Sequence, residues 1–149
     1  MGMKHGLAFS LILLLAVVGP ADANEVADAA MNRDLEAVRS LLELKATENG
    51  LAIVRLRDFL DYVNAPQIDG TTALHWAVNH DDFEIADLML GAGATVSVAN
   101  RTGVTPMRLA AINGSMAMIE RLLDAGADAN AALTEYGDTA LMMAARTGS

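Results

Sequence analysis

The chain has 149 residues, a length that suits one domain, and 53% of them are hydrophobic, enough to close a core. Formal net charge is −9 at pH 7, so nucleic acid and anionic membrane surfaces are repelled over a Debye length. Cysteine is absent, which excludes a lipidated N-terminal cysteine, disulfide staples, thiolate metal sites and thiol nucleophiles.

The first residues read as an address. "MGMKHG" carries Lys4, and "LAFSLILLLAVV", residues 7–18, is an uncharged run too short to cross a bilayer comfortably. Gly19 and Pro20 break it, and Ala21 and Ala23 give the A-x-A spacing of a signal peptidase site. This predicts a signal peptide over 1–23, cut before Asn24, and a periplasmic or secreted protein without a membrane anchor. Removal takes away Lys4 and Asp22, so the acidity belongs to the mature chain.

Residues 24–149 read as one repeat domain. "VADAAMNRDLEAVRSLLEL", 26–44, lays Ala29 and Ala30 on Ala110 and Ala111, and Leu41 and Leu42 on Leu122 and Leu123. It lacks the turn and threonine of the later units, as a cap whose outer face meets water should. Residues 45–63 are an insertion: "KATENG" reads as a loop, and Leu51, Val54, Phe59 and Tyr62 are spaced for an extra amphipathic helix. Arg55 and Arg57 fall at its polar edge.

The unit at 64–99 reappears at 100–132, shifted by 33 residues, with Gly70 on Gly103, Thr72 on Thr105, Ala77 on Ala110, Leu90 on Leu123 and Gly93 on Gly126. A third copy at 133–149 is displaced by 34, the extra residue falling in the loop around Leu133 to Tyr136. Each unit predicts a turn glycine, a threonine at 72, 105 or 139 that accepts from the first free amides, and a short helix. Pro106 fits the first turn of its helix, where a missing N–H costs nothing. Second helices, "FEIADLML" and "MAMIERLL", show apolar spacing of three and four and stop at Gly93 and Gly126. The third unit ends after one helix, which predicts that the sequence is a piece of a longer array.

"GTTALHWA", "GVTPMRLA" and "GDTALMMA", followed by "LLDAGADAN" and more loosely "LMLGAGATVS", resemble the ankyrin repeat family, whose hallmark is G-x-T-P-L-H-x-A. The resemblance implies an all-α ankyrin-repeat solenoid of stacked helix-turn-helix units with short hairpin loops, here with one extra inserted helix. It also implies that His75 hydrogen-bonds between neighbouring units.

No catalytic set is visible: G-x-S-x-G, a phosphate-cradling glycine loop and H-E-x-x-H are all missing. His75 and His80 stand five apart, about 140 degrees around a helix, so they cannot chelate one ion together. Asp81 and Asp82 suit a solvated turn, and the seven methionines after position 23 fall mostly on packing positions rather than forming a copper site. No cofactor and no metal are expected.

What remains is surface. In the family, partners are gripped by the hairpin tips and the inner-helix ends beneath them. Carried over, these positions are Ile68, Asp69 and Thr71 on the first tip, Arg101, Thr102 and Val104 on the second, and Glu135, Tyr136 and Asp138 on the third, with Asn79, His80, Ile112 and Asn113 at the helix ends. Exposed Ile, Val and Tyr among polar groups suit a protein-binding face. The expectation is a monomeric exported scaffold that binds a protein and performs no catalysis. The competing expectation is the targeting segment of a larger exported enzyme or effector whose active domain lies beyond residue 149.

Overall fold

The computed structural model describes residues 24–48, 53–134 and 136–147; the predicted signal peptide, Leu51 and Glu135 lie outside them. Eight helices and no strand occur among the described residues. In chain order they are α1 (Glu25–Met31), α2 (Leu35–Glu48), α3 (Ile53–Val63), α4 (Ala73–Asn79), α5 (Phe83–Gly91), α6 (Pro106–Asn113), α7 (Met116–Asp124) and α8 (Ala140–Thr147). α1, α4, α6 and α8 pack in a row as the inner layer, and α2, α5 and α7 each fold back on the inner helix before them.

The hairpin turn is the same three times, although its sequence is not. One residue with left-handed backbone ends each inner helix: Arg33 at φ 57°, Asp81 at φ 54° and Gly114 at φ 67°. Its amide and the next one turn back onto the helix, Arg33 N to Ala30 O and Asp34 N to Ala29 O in the first pair, with matching bonds from Asp81 and Asp82 and from Gly114 and Ser115. Asp34, Asp82 and Ser115 then accept from the amides of Ala37, Ile85 and Met118 and so cap the outer helix.

Small residues let the inner helices approach. Ala29, Ala30, Ala77, Ala110 and Ala111 are buried, flanked by Val26, Leu74 and Met107, while Val38, Ile85, Met89, Met118 and Leu122 seal the outer layer. Burying a side chain such as Leu122 contributes roughly 2 kcal/mol, and no pair could hide its apolar stripe alone. Met89, Met107 and Met118 are core residues and Met143 is half-buried, but Met31, Met116 and Met142 are exposed.

One detail departs from the reading of the sequence. Lys45 to Glu48 continue α2 instead of opening a loop, because nothing in "KAT" stops a helix. Thr72 forms a capping box with His75, its hydroxyl facing the His75 amide and also bonding the His75 ring, and Thr105 accepts the amide of Arg108. The inserted helix α3 packs on α2 and is fastened at its end. There Asn64 Nδ2 donates to the carbonyls of Leu60 at 2.8 Å and Gly93 at 3.2 Å, and Asn64 Oδ1 accepts from Thr95 N at 2.6 Å.

Candidate protein-binding surface

Three tips project from the inner layer, each closed by its own backbone: Gln67 N donates to Thr71 O, Asn100 N to Val104 O and Leu133 N to Asp138 O. Side chains brace them from within. Asp69 accepts from the Thr71 amide and hydroxyl, which holds its carboxyl below the ordinary value. Asn100 Oδ1 accepts from Thr102 N, Thr102 Oγ1 and Val104 N, and Thr134 Oγ1 accepts from Tyr136 N and Asp138 N. The first two tips are joined by Arg101 N donating to Asp69 O at 2.9 Å. Gly70 permits this close approach: a Cβ there would lie 3.0 Å from Arg101 N.

His75, 1% exposed, ties the first tip's helix to the second tip. The Thr72 amide can only donate, so Nδ1 accepts from it at 3.2 Å, leaving Nε2–H to donate to the Val104 carbonyl at 3.1 Å. Burial pushes the imidazole below its ordinary value, outweighing the Val104 carbonyl and the Asp69 charge, which pull the other way. The imidazole is therefore a structural bolt, as the family resemblance implies.

A second bolt was not foreseen. His80 and Asn113 occupy equivalent positions 33 residues apart, and both reach back to the preceding inner helix. His80 Nε2 donates to Met31 O at 3.0 Å, and Asn113 Nδ2 donates to Val78 O at 2.9 Å and Asn79 O at 3.3 Å. These carbonyls lie at helix ends, where lone pairs are left over: Val78 O already accepts from Asp81 N, and the Asn113 amide adds a second bond from the neighbouring unit. Around His80, Trp76 stacks on its ring with centroids 5.8 Å apart and donates Nε1–H to Gln67 Oε1, while Gln67 Nε2 donates to Asp28 of α1.

The other carried-over positions divide plainly. Ile68 is 83% exposed and Tyr136 85%, Ile112 is 52% exposed, and Asp69, Asn79, Arg101 and Thr102 are exposed as well. Val104 is half-buried under its tip, and Asp138 is half-buried in an ion pair with Arg146 at 3.1 Å. Thr71 is buried and turned to Asp69. An open depression of about 350 Å³ lies between α1 and the first tip, lined by Asn24, Asp28, Gln67, Ile68 and Asp69. Among the described residues, three or more His, Asp or Glu side chains nowhere gather as metal ligands would.

The pattern of ankyrin repeats (3 copies) matches residues 26–131 and again 93–149. The chain belongs to the ankyrin repeat family. It is similar to ankyrin repeat and SOCS box protein 16 of Homo sapiens, 37% identical over 82 residues that make up 55% of this chain and 18% of that protein. An ankyrin repeat protein of Fowlpox virus is 40% identical over 73 residues, 48% of this chain and 21% of the viral protein. Palmitoyltransferase Hip14 of Drosophila melanogaster is 36% identical over 89 residues, 57% of this chain and 14% of the enzyme. The chain thus spans less than a quarter of the length of each. Ankyrin repeats are a protein-interaction fold. No described helix is long and apolar enough to cross a membrane.

Proposed function

We propose that the chain is an exported, monomeric scaffold that binds another protein through its tips and inner-helix ends, with no catalysis of its own. The observation that carries this reading is the exposure of Ile68 and Tyr136 on tips braced by their own hydrogen bonds, and of Ile112 at an inner-helix end, where solvent gains nothing from them and a partner would. Export rests on the N-terminal sequence, with its short apolar run and Ala21 and Ala23 before Asn24. N-terminal sequencing of the protein from its native host tests it, and a start at Asn24 is expected. For the surface, the test is a pull-down with the full chain. A specific partner should be lost by at least tenfold in a variant combining Ile68→Ala, Arg101→Ala and Tyr136→Ala, and full retention rejects the assignment.

A second reading makes the chain the targeting segment of a larger exported enzyme or effector. It is favoured by the similarity to palmitoyltransferase Hip14, an enzyme of which this chain covers 14%. Reading the gene beyond codon 149 decides: further 33-residue units support a scaffold, and a non-repeat domain supports the second reading.

A further inference from the structure

In α4 and α6 the same slot holds different chemistry. The residue three places after the N-terminal threonine is His75 in the first case, with both ring nitrogens engaged, and Arg108 in the second. Arg108 Nε is buried and has no hydrogen-bond partner, and its guanidinium enters no ion pair among the described residues. Its environment explains why. Asp138, the acid of the next tip, is taken by Arg146 and by the Thr134 hydroxyl. Other cations among the described residues differ: Arg33, Arg121 and Arg146 have carboxylate partners, whereas Arg39, Arg57 and Arg101 are exposed. Among the described residues, Arg108 combines an enclosed Nε–H that lacks an acceptor with Nη groups that are not enclosed, and an incoming carboxylate meets these Nη groups in a charge-assisted bond. The local charge permits it. Of the eighteen acids after position 23, five lie beyond residue 99, against four of the nine bases, so this end of the array is close to neutral.

We infer that Arg108 is the acceptor-seeking group of the interaction surface, and that it receives an aspartate or glutamate side chain of the protein partner between the second and third tips. This deepens the scaffold reading and rests on it. Arg108 is half-buried at the start of α6, so a carboxylate arriving along the inner-helix face meets it next to the amides of the helix's first turn.

The test follows the side-chain Nε–H resonances of the full chain by NMR, with the Arg108 peak assigned by its loss in Arg108→Lys. The probes are two synthetic peptides, acetyl-Gly-Ser-Glu-Glu-Ser-Gly-amide and its Gln-Gln counterpart. The expected result is a saturable downfield shift of the Arg108 peak with the Glu peptide, at least fivefold weaker with the Gln peptide, while the peaks of Arg39, Arg57 and Arg101 move only in proportion to peptide added. The inference is overturned by no saturable shift at Arg108, by equal shifts at all arginines, or by a free-state peak already downfield that Asp138→Asn moves. A partner retained by Arg108→Gln but lost by the Ile68, Arg101 and Tyr136 variant would overturn this inference and leave the scaffold reading intact.

Discussion

His75 Nε2 donates to the Val104 carbonyl across 3.1 Å, joining α4 to the tip that precedes α6. His75→Ala strands that carbonyl and the Thr72 amide and opens a void, at a cost of about 2–3 kcal/mol. Because burial holds the imidazole below its ordinary 6.5, the unfolded chain binds the extra proton. The His75 contribution is therefore complete above pH 6.5 and is lost as pH falls through that value toward the depressed one. Urea midpoints at pH 7.5 and 5.5 check this: the parent should lose more stability on acidification than His75→Ala does. Asp69, depressed below 3.8, acts only in a separate and more acid window.

The contact between the first two tips separates two glycines that look alike in sequence. Gly70 has φ +84° and a would-be Cβ 3.0 Å from Arg101 N, whereas Gly103 has φ +76° and open space around its Cβ. Gly103→Ala should cost about 1 kcal/mol for the left-handed backbone alone. Gly70→Ala should cost more, about 2–3 kcal/mol, since backbone atoms must also shift. Thermal unfolding of the two variants side by side reads the difference.

Asn113 and Ile112 are neighbours on α6 with opposite expected behaviour. Asn113→Ala removes the donor to Val78 O and Asn79 O and should lower stability by about 1 kcal/mol. Ile112→Ala, at a side chain 52% exposed, should change stability by less than about 0.5 kcal/mol while weakening partner capture. Chemical denaturation combined with the pull-down separates the two roles.

The inserted helix depends on one side chain at its end. Asn64→Ala removes the bonds to Gly93 O and Thr95 N, so amide exchange over Ile53–Val63 should accelerate severalfold while that of α4 and α6 is unchanged. Hydrogen–deuterium exchange with peptide-level readout tests this.

Much of the array is legible in sequence because a 33-residue period repeats the same burial pattern: Ala77 and Ala110 at the helix contact, Met89 and Leu122 in the outer layer. The left-handed turn that Gly114 adopts freely is taken by Arg33 and Asp81 in the equivalent hairpins, where the hydrogen-bonded geometry sets the backbone and no glycine marks it in the sequence. As polar residues at helix ends, His80 and Asn113 read in the sequence as partner-binding positions. Their donors go instead to helix-terminal carbonyls of the preceding unit, a need set by packing that single-residue spacing does not encode. The belt from Trp76 through Gln67 to Asp28 links residues from different units with no periodic counterpart, and so leaves no pattern to read.

The transverse bonds are unevenly distributed. Met31 to His80, His75 to Val104, Val78 to Asn113 and Asp69 to Arg101 secure the first three inner helices to one another, and among the described residues no hydrogen bond crosses from α6 or α7 to the third tip or α8. Under tension along its axis, the molecule would yield first at the α6–α8 seam. Tyr136 lies beyond that seam, which among the described residues is joined by packing without a crossing hydrogen bond.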